Sequence, residues 1–183
     1  MISCFKGKFK VTSPRGDRVL GGQKQYHGGL DLVALEDKTV YAIADGKVDA
    51  TPYEANGFGY YVRQLLPDGR RIYYGHMTKG SVCVKAGQNI KKGDKLGTMG
   101  NTGNSTGAHT HVEIRVKGTS KTSLDIAEFT GIPNKVGTYE AEDKIDYAEK
   151  VQKKCGFEAQ TMEYLKAYKW ADALFEKLWN AMK

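Results

Sequence analysis

From Lys8 to about Pro133 the chain is written in period two: short alternating or β-branched runs, closed by glycine, Asp-Gly or Pro-Asp-Gly. Side chains two apart share one face of a strand, and turns of this chemistry reverse the chain, so the pattern predicts a mainly β domain built on antiparallel sheet. Lys8 to Ser13 reads as a first strand, closed by Pro14-Arg15-Gly16, and the polar, glycine-containing stretch that follows reads as a loop reaching His27. Thr39 to Ile43 and Lys47 to Ala50 read as a hairpin around Asp45-Gly46. Tyr60 to Leu66 and Arg70 to Tyr74 read as a longer one through Pro67-Asp68-Gly69. Ser81 to Gly97 continues as short strands punctuated by Gly87 and Gly93. Tyr60, Tyr61, Tyr73 and Tyr74 could form a sugar-stacking patch, but aromatic residues on pleated surfaces are more often sheet packing.

After Pro133 the period changes to about 3.6. Ile145, Ala148, Val151 and Cys155 fall on one helical face that Gly156 is placed to end. A second helix is predicted from an N-cap near Thr161 towards Met182, with Leu165, Tyr168, Phe175, Leu178 and Met182 on one stripe and Trp170 and Trp179 elsewhere. The expected organisation is therefore a β domain over residues 1–133 and a two-helix α-helical appendage over 134–183. So short a helical unit holds little core by itself, so docking, self-association or surface binding is expected of it.

At 183 residues with 40% hydrophobic content the chain can bury a real core. Its net charge of +7 is uneven: residues 1–137 carry 20 Lys/Arg against 12 Asp/Glu, and residues 138–183 carry 8 against 9. A cationic β domain favours anionic polymers, either nucleic acid or a wall rich in phosphate and carboxylate. Cys4, Cys83 and Cys155 are odd in number and far apart, which indicates neither a disulfide framework nor a thiolate metal site; reduced, mostly buried thiols are expected. No run approaches the ~18 apolar residues of a membrane span, and the first residues lack the apolar core of a signal peptide. Neither G-x-x-x-x-G-K-[ST] nor a following helix appears, so a P-loop is excluded.

The chemistry is concentrated in the histidines. Gly100 to Val116, GNTGNSTGAHTHVEIRV, runs a Gly/Asn/Ser/Thr loop into a strand on which His109 and His111 share one face and Thr110 and Val112 the other. His27 and Asp31 stand in Tyr26-His27-Gly28-Gly29-Leu30-Asp31, and His76 ends the run Tyr74-Gly75-His76. An H-x-H pair also occurs on ordinary exposed strands. Neutral imidazole and carboxylate are nevertheless good zinc ligands, and catalytic zinc takes three protein ligands and keeps a fourth position open. His27, Asp31 and one of the two strand histidines would supply that set, leaving two histidines for proton transfer and charge stabilisation.

HGGLD, YGH and GNTGNSTGAHTHVEIRV, in this order, resemble the motifs of the lysostaphin-type (LytM-like) zinc metallo-endopeptidases, which cut peptide cross-links in bacterial peptidoglycan. The resemblance runs from about Lys8 to Pro133, through VTSPRGDR, TVYAIADGKV and VKAGQNIKKGDKLGTMGNTG, and places all four histidines on motif positions. Two departures are Ala108, where the family usually has proline, and Thr110, where an apolar residue is usual. The resemblance implies His27, Asp31 and His111 as ligands of one zinc ion per chain, His109 as the base towards the attacking water, and His76 as the group that stabilises the oxyanion.

It further implies a metallo-endopeptidase acting on peptidoglycan amide bonds, with peptidoglycan as partner and no nucleic acid; self-association through the C-terminal helices is an expectation from their apolar stripes. Synthesis without an export signal points to a bacteriophage endolysin or a particle-associated lysin, reaching the wall on lysis or on the particle. The alternative is a non-catalytic wall-binding or phage structural module on the same scaffold. Which bond is cut is set by loop contours that sequence does not reveal.

Overall fold

The structure is a computed structural model that describes residues 1–116, 123–141, 151–152, 154–166 and 171–182. It divides into two compact units, Met1–Glu142 and Asp143–Lys183. In the first, the described strands are β1 (Lys8–Ser13), β2 (Gly16–Leu20), β3 (Gln23–His27), β4 (Leu30–Ala34), β5 (Thr39–Tyr41), β6 (Gly46–Ala50) and β7 (Tyr53–Glu54). They continue as β8 (Gly59–Leu65), β9 (Arg71–Met77), β10 (Asn89–Ile90), β11 (Lys95–Thr98), β12 (Thr110–Arg115), β13 (Ser123–Leu124) and β14 (Gly137–Glu140). Among the described residues, one antiparallel sheet runs β10-β6-β8-β9-β12-β4-β1-β14, with β7 beside β8 and β13 beside β12. Two ribbons, β2-β3 and β5-β11, stand outside it.

The alternation fixes which face is core. In β1, Phe9 and Val11 are fully buried while Lys8, Lys10 and Thr12 are exposed, and Leu30, Leu32, Ile72, Leu96 and Ile114 are sealed with them. The tyrosines pack as sheet residues: Tyr61, Tyr73 and Tyr74 are buried, and Tyr74 accepts from the backbone N–H of Ile43 at 3.0 Å while donating to Gln64 at 2.7 Å. Thr110 is the exception in this interior. It is fully buried, and among the described residues its Oγ1 has no hydrogen-bond partner. An unpaired buried hydroxyl costs on the order of 1–3 kcal/mol, and valine has nearly its shape. Thr110→Val is expected to stabilise the fold by about 1–2 kcal/mol, read as a higher urea midpoint at unchanged slope.

The hairpin through Pro67-Asp68-Gly69 forms as its alternation predicts. The hairpin around Asp45-Gly46 does not: β5 pairs with β11, and β6 with β8 and β10. Asp45 is occupied elsewhere, its carboxylate accepting from the Lys92 backbone N–H at 2.8 Å and from Lys91 Nζ at 3.1 Å. It pins the following strap rather than closing a turn. The expected loop before His27 is a β-ribbon, β2-β3, registered from Gly16↔His27 to Leu20↔Gln23. Both its faces are solvated, with Gln23 to Tyr26 exposed, so it leaves no period-two signature.

The chain past Pro133 also returns to the sheet. In β14, Tyr139 sits opposite Phe9 with ring centroids 6.1 Å apart, so the first unit extends to Glu142. A short helix, α1 (Ile126–Thr130), precedes it, capped by Asp125 accepting from the Ala127 N–H. Of the three free cysteines, only Cys4 is buried; Cys83 and Cys155 are exposed, contrary to the expectation for buried thiols, because they lie on a surface strap and at a helix end.

In the second unit, Val151–Gln152 and Lys154–Cys155 are helical, and Gly156, at φ 67°, donates its N–H to Gln152 O in a left-handed stop. Ile145, Ala148, Tyr168 and Trp170 lie outside the described residues. Helix α2 (Ala159–Lys166) starts ahead of Thr161, which is therefore inside the helix and not its cap. Helix α3 (Ala171–Ala181) follows. Val151, Met162 and Phe175 are buried together, with Leu165, Leu178, Met182 and also Trp179 against them. No described helix is long and apolar enough to cross a membrane.

Candidate metal centre

The five residues singled out in the sequence come together on one face of the large sheet. Asp31 in β4 and His111 in β12 are direct cross-strand partners, so their side chains rise side by side. His27, at the end of β3, is delivered across Gly28-Gly29. Its Nε2 lies 3.0 Å from Asp31 Oδ1 and 2.9 Å from His111 Nδ1, and His111 Nδ1 lies 2.9 Å from the same Oδ1. All three side chains are buried. His109 brings Nε2 to 3.4 Å from Asp31 Oδ1, and His76 packs tilted against His109 with ring centroids 4.5 Å apart.

Each imidazole is held from behind. His27 Nδ1 meets the Pro14 carbonyl at 2.8 Å, His76 Nδ1 the Thr102 carbonyl at 2.8 Å, and His109 Nδ1 the Gly107 carbonyl at 2.8 Å. His111 Nε2 meets the Glu113 carboxylate at 3.1 Å. Carbonyl and carboxylate oxygens only accept, so each of these ring nitrogens carries the hydrogen, and the opposite nitrogen of a neutral ring is bare. Three lone pairs, on His27 Nε2, His111 Nδ1 and Asp31 Oδ1, therefore converge within hydrogen-bonding distance and require a cation between them. Ligands of a tetrahedral zinc with bonds near 2.0–2.1 Å stand roughly 3.3 Å apart, close to this triangle's edges, and two imidazoles with one carboxylate are a catalytic zinc donor set. The residues fit the ion.

The electrostatics agree. Burial works to raise the Asp31 pKa, yet the close approach of His109, His111 and His27 favours the carboxylate and holds the carboxyl well below the usual carboxylate range. The outer oxygen, Oδ2, accepts from Arg18 Nη1 at 3.1 Å, which leaves Oδ1 facing the histidines. Burial works to lower the His111 pKa, but Asp31 and Glu113 raise it: the crowded lone pairs recruit a proton, which a divalent ion would displace. Burial pushes His76 down to about 4 against the opposing pull of the Thr102 carbonyl, so this ring is neutral at pH 7.

His76 reaches the site by an irregularity. Its φ of 59° is the left-handed region, unusual for a residue with a Cβ, and its N–H donates to Phe58 O at 2.6 Å where the β8-β9 register shifts. This bulge turns the ring towards His109. The Gly100–Gly107 loop is tied down beside it: Thr102 Oγ1 donates to Met77 O at 2.7 Å and accepts from Tyr60 N–H at 3.0 Å. Gly103, at φ 76°, lies so close to Gly59 that a Cβ would meet its nitrogen at 2.2 Å. Sequence reading missed Glu113, Arg18, Arg115 and the three anchoring carbonyls. Only Glu113 left a signal, since residues 109, 111 and 113 continue one strand face.

Residues 25–123 match the description Peptidase family M23. The chain belongs to that family. An uncharacterised metalloprotease of Haemophilus influenzae is 36% identical to the M23 chain over 114 residues, covering 62% of it and 24% of the relative. The peptidoglycan DD-endopeptidase ShyC of Vibrio cholerae is 34% identical over 110 residues, covering 60% and 24%. The M23 chain thus spans about a quarter of the length of these curated relatives. Among solved structures, the catalytic domain of lysostaphin from Staphylococcus simulans superposes with a TM-score of 0.60 at 29% identity, over 66% of the M23 chain and 91% of that domain. The mainly antiparallel fold expected from the sequence is therefore that of the lysostaphin/LytM catalytic domains.

Proposed function

We propose that this M23 domain is a zinc-dependent endopeptidase hydrolysing amide bonds in peptidoglycan cross-links or stem peptides, with His27, Asp31 and His111 holding one zinc ion. The observation that carries the reading is the convergence of three lone pairs within 3.0 Å, each imidazole being anchored from behind in the tautomer a ligand needs. The named activity of ShyC supports the substrate class. Bound there, zinc supplies Lewis acidity that polarises the amide carbonyl and makes water a nucleophile near neutral pH.

The chain's own residues do the rest. His109, with Nδ1–H fixed on Gly107 O, presents a bare Nε2 beside Asp31 and takes the proton of the attacking water; it then returns it to the leaving amine. His76 is neutral at pH 7 with Nδ1–H on Thr102 O, so it can donate to an oxyanion only after a proton reaches Nε2. His109, 4.5 Å away ring to ring, can lend His76 the water's proton while the oxyanion stands and must take it back before the leaving amine receives it. A non-catalytic wall-binding module is the weaker reading, because such a module needs neither the full donor set nor two further imidazoles over it.

Purified chain is incubated with peptidoglycans of different cross-link chemistry, and the new termini are identified by mass. A chelator is expected to abolish cleavage, and one equivalent of zinc to restore it. Zinc at a hundred times its Kd should also raise the unfolding free energy by about 2.7 kcal/mol. Cleavage that persists in demonstrably metal-free protein would sink the proposal. The lysin role belongs to the same proposal and is tested by adding the chain to intact cells and to isolated walls: clearing of the isolated walls supports it.

A further inference from the structure

The second ring nitrogen of His111 leads away from the metal centre into a buried polar chain. Glu113 is 2% exposed, and its Oε2 accepts from His111 Nε2 at 3.1 Å. Arg115 grips the same carboxylate with a fork, Nε to Oε1 at 2.7 Å and Nη2 to Oε2 at 2.9 Å. The guanidinium in turn lies 4.4 Å over the Tyr73 ring and 5.1 Å over Phe58, whose ring stands 5.4 Å from His111. Gly28 roofs the carboxylate: a Cβ there would fall 2.5 Å from Oε1. The carboxylate is thus clamped from below by a planar cation and from above by bare backbone.

We infer that Glu113 is a positioning residue for the metal centre, fixing the tautomer and the ring orientation of His111, and that Arg115 holds it in that position. The inference rests on the zinc reading proposed above. A ring that offers Nδ1 to a metal must carry its hydrogen on Nε2, and only an acceptor on that side enforces this. A plain Glu113–Arg115 ion pair stapling β12 would satisfy both charges without engaging His111. The observed geometry spends one carboxylate oxygen on both partners, which ties the orientation of the ring to a fork held by two aromatic faces.

The test is made on the full chain. In Glu113→Gln the charge is lost, and the amide can turn its own N–H towards His111, which favours the wrong tautomer. Zinc affinity, measured by competition with a chromogenic chelator well below the melting temperature, is expected to fall about 10- to 100-fold. Melting of the metal-free protein should move little by comparison. The His111 Nε2–H, expected as a protected downfield proton line in zinc-loaded wild type, should shift or exchange out in the variant. Arg115→Lys, which keeps the charge but breaks the fork, should weaken zinc by a smaller factor. Unchanged zinc affinity in Glu113→Gln overturns the assignment; should that variant not fold, unchanged affinity in Arg115→Lys does so. A wild-type chain that takes up no zinc overturns this inference together with the proposed function, whereas the variant result overturns it alone.

Discussion

Asp31→Ala is expected to lose bound zinc and turnover together, while His109→Ala keeps metal near one equivalent and loses turnover by about 10²–10⁴-fold, the usual worth of a positioned general base. The two residues are separated by only 3.4 Å, Nε2 to Oδ1, yet their roles differ by construction. Asp31 Oδ1 is a corner of the ligand triangle, within 3.0 Å of both His27 Nε2 and His111 Nδ1. His109 approaches that oxygen from outside the triangle and is anchored to its own loop, at 2.8 Å from Gly107 O and 3.3 Å from Ser105 Oγ. Asp31→Ala also strips Arg18 of its carboxylate partner, so some loss of stability accompanies the loss of metal. Elemental analysis beside a wall-clearing assay reads both variants. A fully active His109→Ala protein would defeat the division of labour, and a zinc-replete Asp31→Ala protein would defeat the ligand set.

Gly29→Ala is expected to damage the centre without replacing a ligand. A Cβ at this position would lie 2.3 Å from the backbone oxygen of Val112, 2.8 Å from His111 Nε2 and 3.0 Å from Glu113 Cβ. The first of these is main chain and cannot turn aside, so β4 and β12 must separate just where Asp31 faces His111. Overpacking of this kind costs about 1–3 kcal/mol, and the opened pairing should lower zinc affinity by about tenfold or more, as losses in the shell behind metal ligands do. Chemical denaturation of the metal-free protein measures the first effect and chelator competition the second. Wild-type affinity in a destabilised Gly29→Ala protein would mean that the triangle tolerates movement of its strands.

These expectations differ in how far they could be drawn before the fold was known. The antiparallel class was legible because one solvated face and one buried face force period two on a strand, as in β1, whereas β12 is buried on both faces and alternates only in residue type. The same physics hid the β2-β3 ribbon, whose residues are wet on both sides, and misassigned the partner of β5, since alternation reports burial and not pairing. The period change after Pro133 marked the helices but concealed β14, a short strand ahead of them whose inward Tyr139 is its main signal.

For the site, the sequence by itself determined the candidate groups: four histidines and Asp31 in spacings that put His109 and His111 on one face and bring His27 within a glycine turn of Asp31. Only the tertiary structure decided which atoms meet. The β4-β12 register sets Asp31 against His111, the bulge at His76 turns its ring inward, and the carbonyls of Pro14, Thr102 and Gly107 with the Glu113 carboxylate choose a tautomer for every ring. Residue type fixes what a side chain can donate or accept and travels with the sequence. Which of two equivalent ring nitrogens is bare depends on a partner brought from a distant part of the chain, and that is fixed only when the strands have packed.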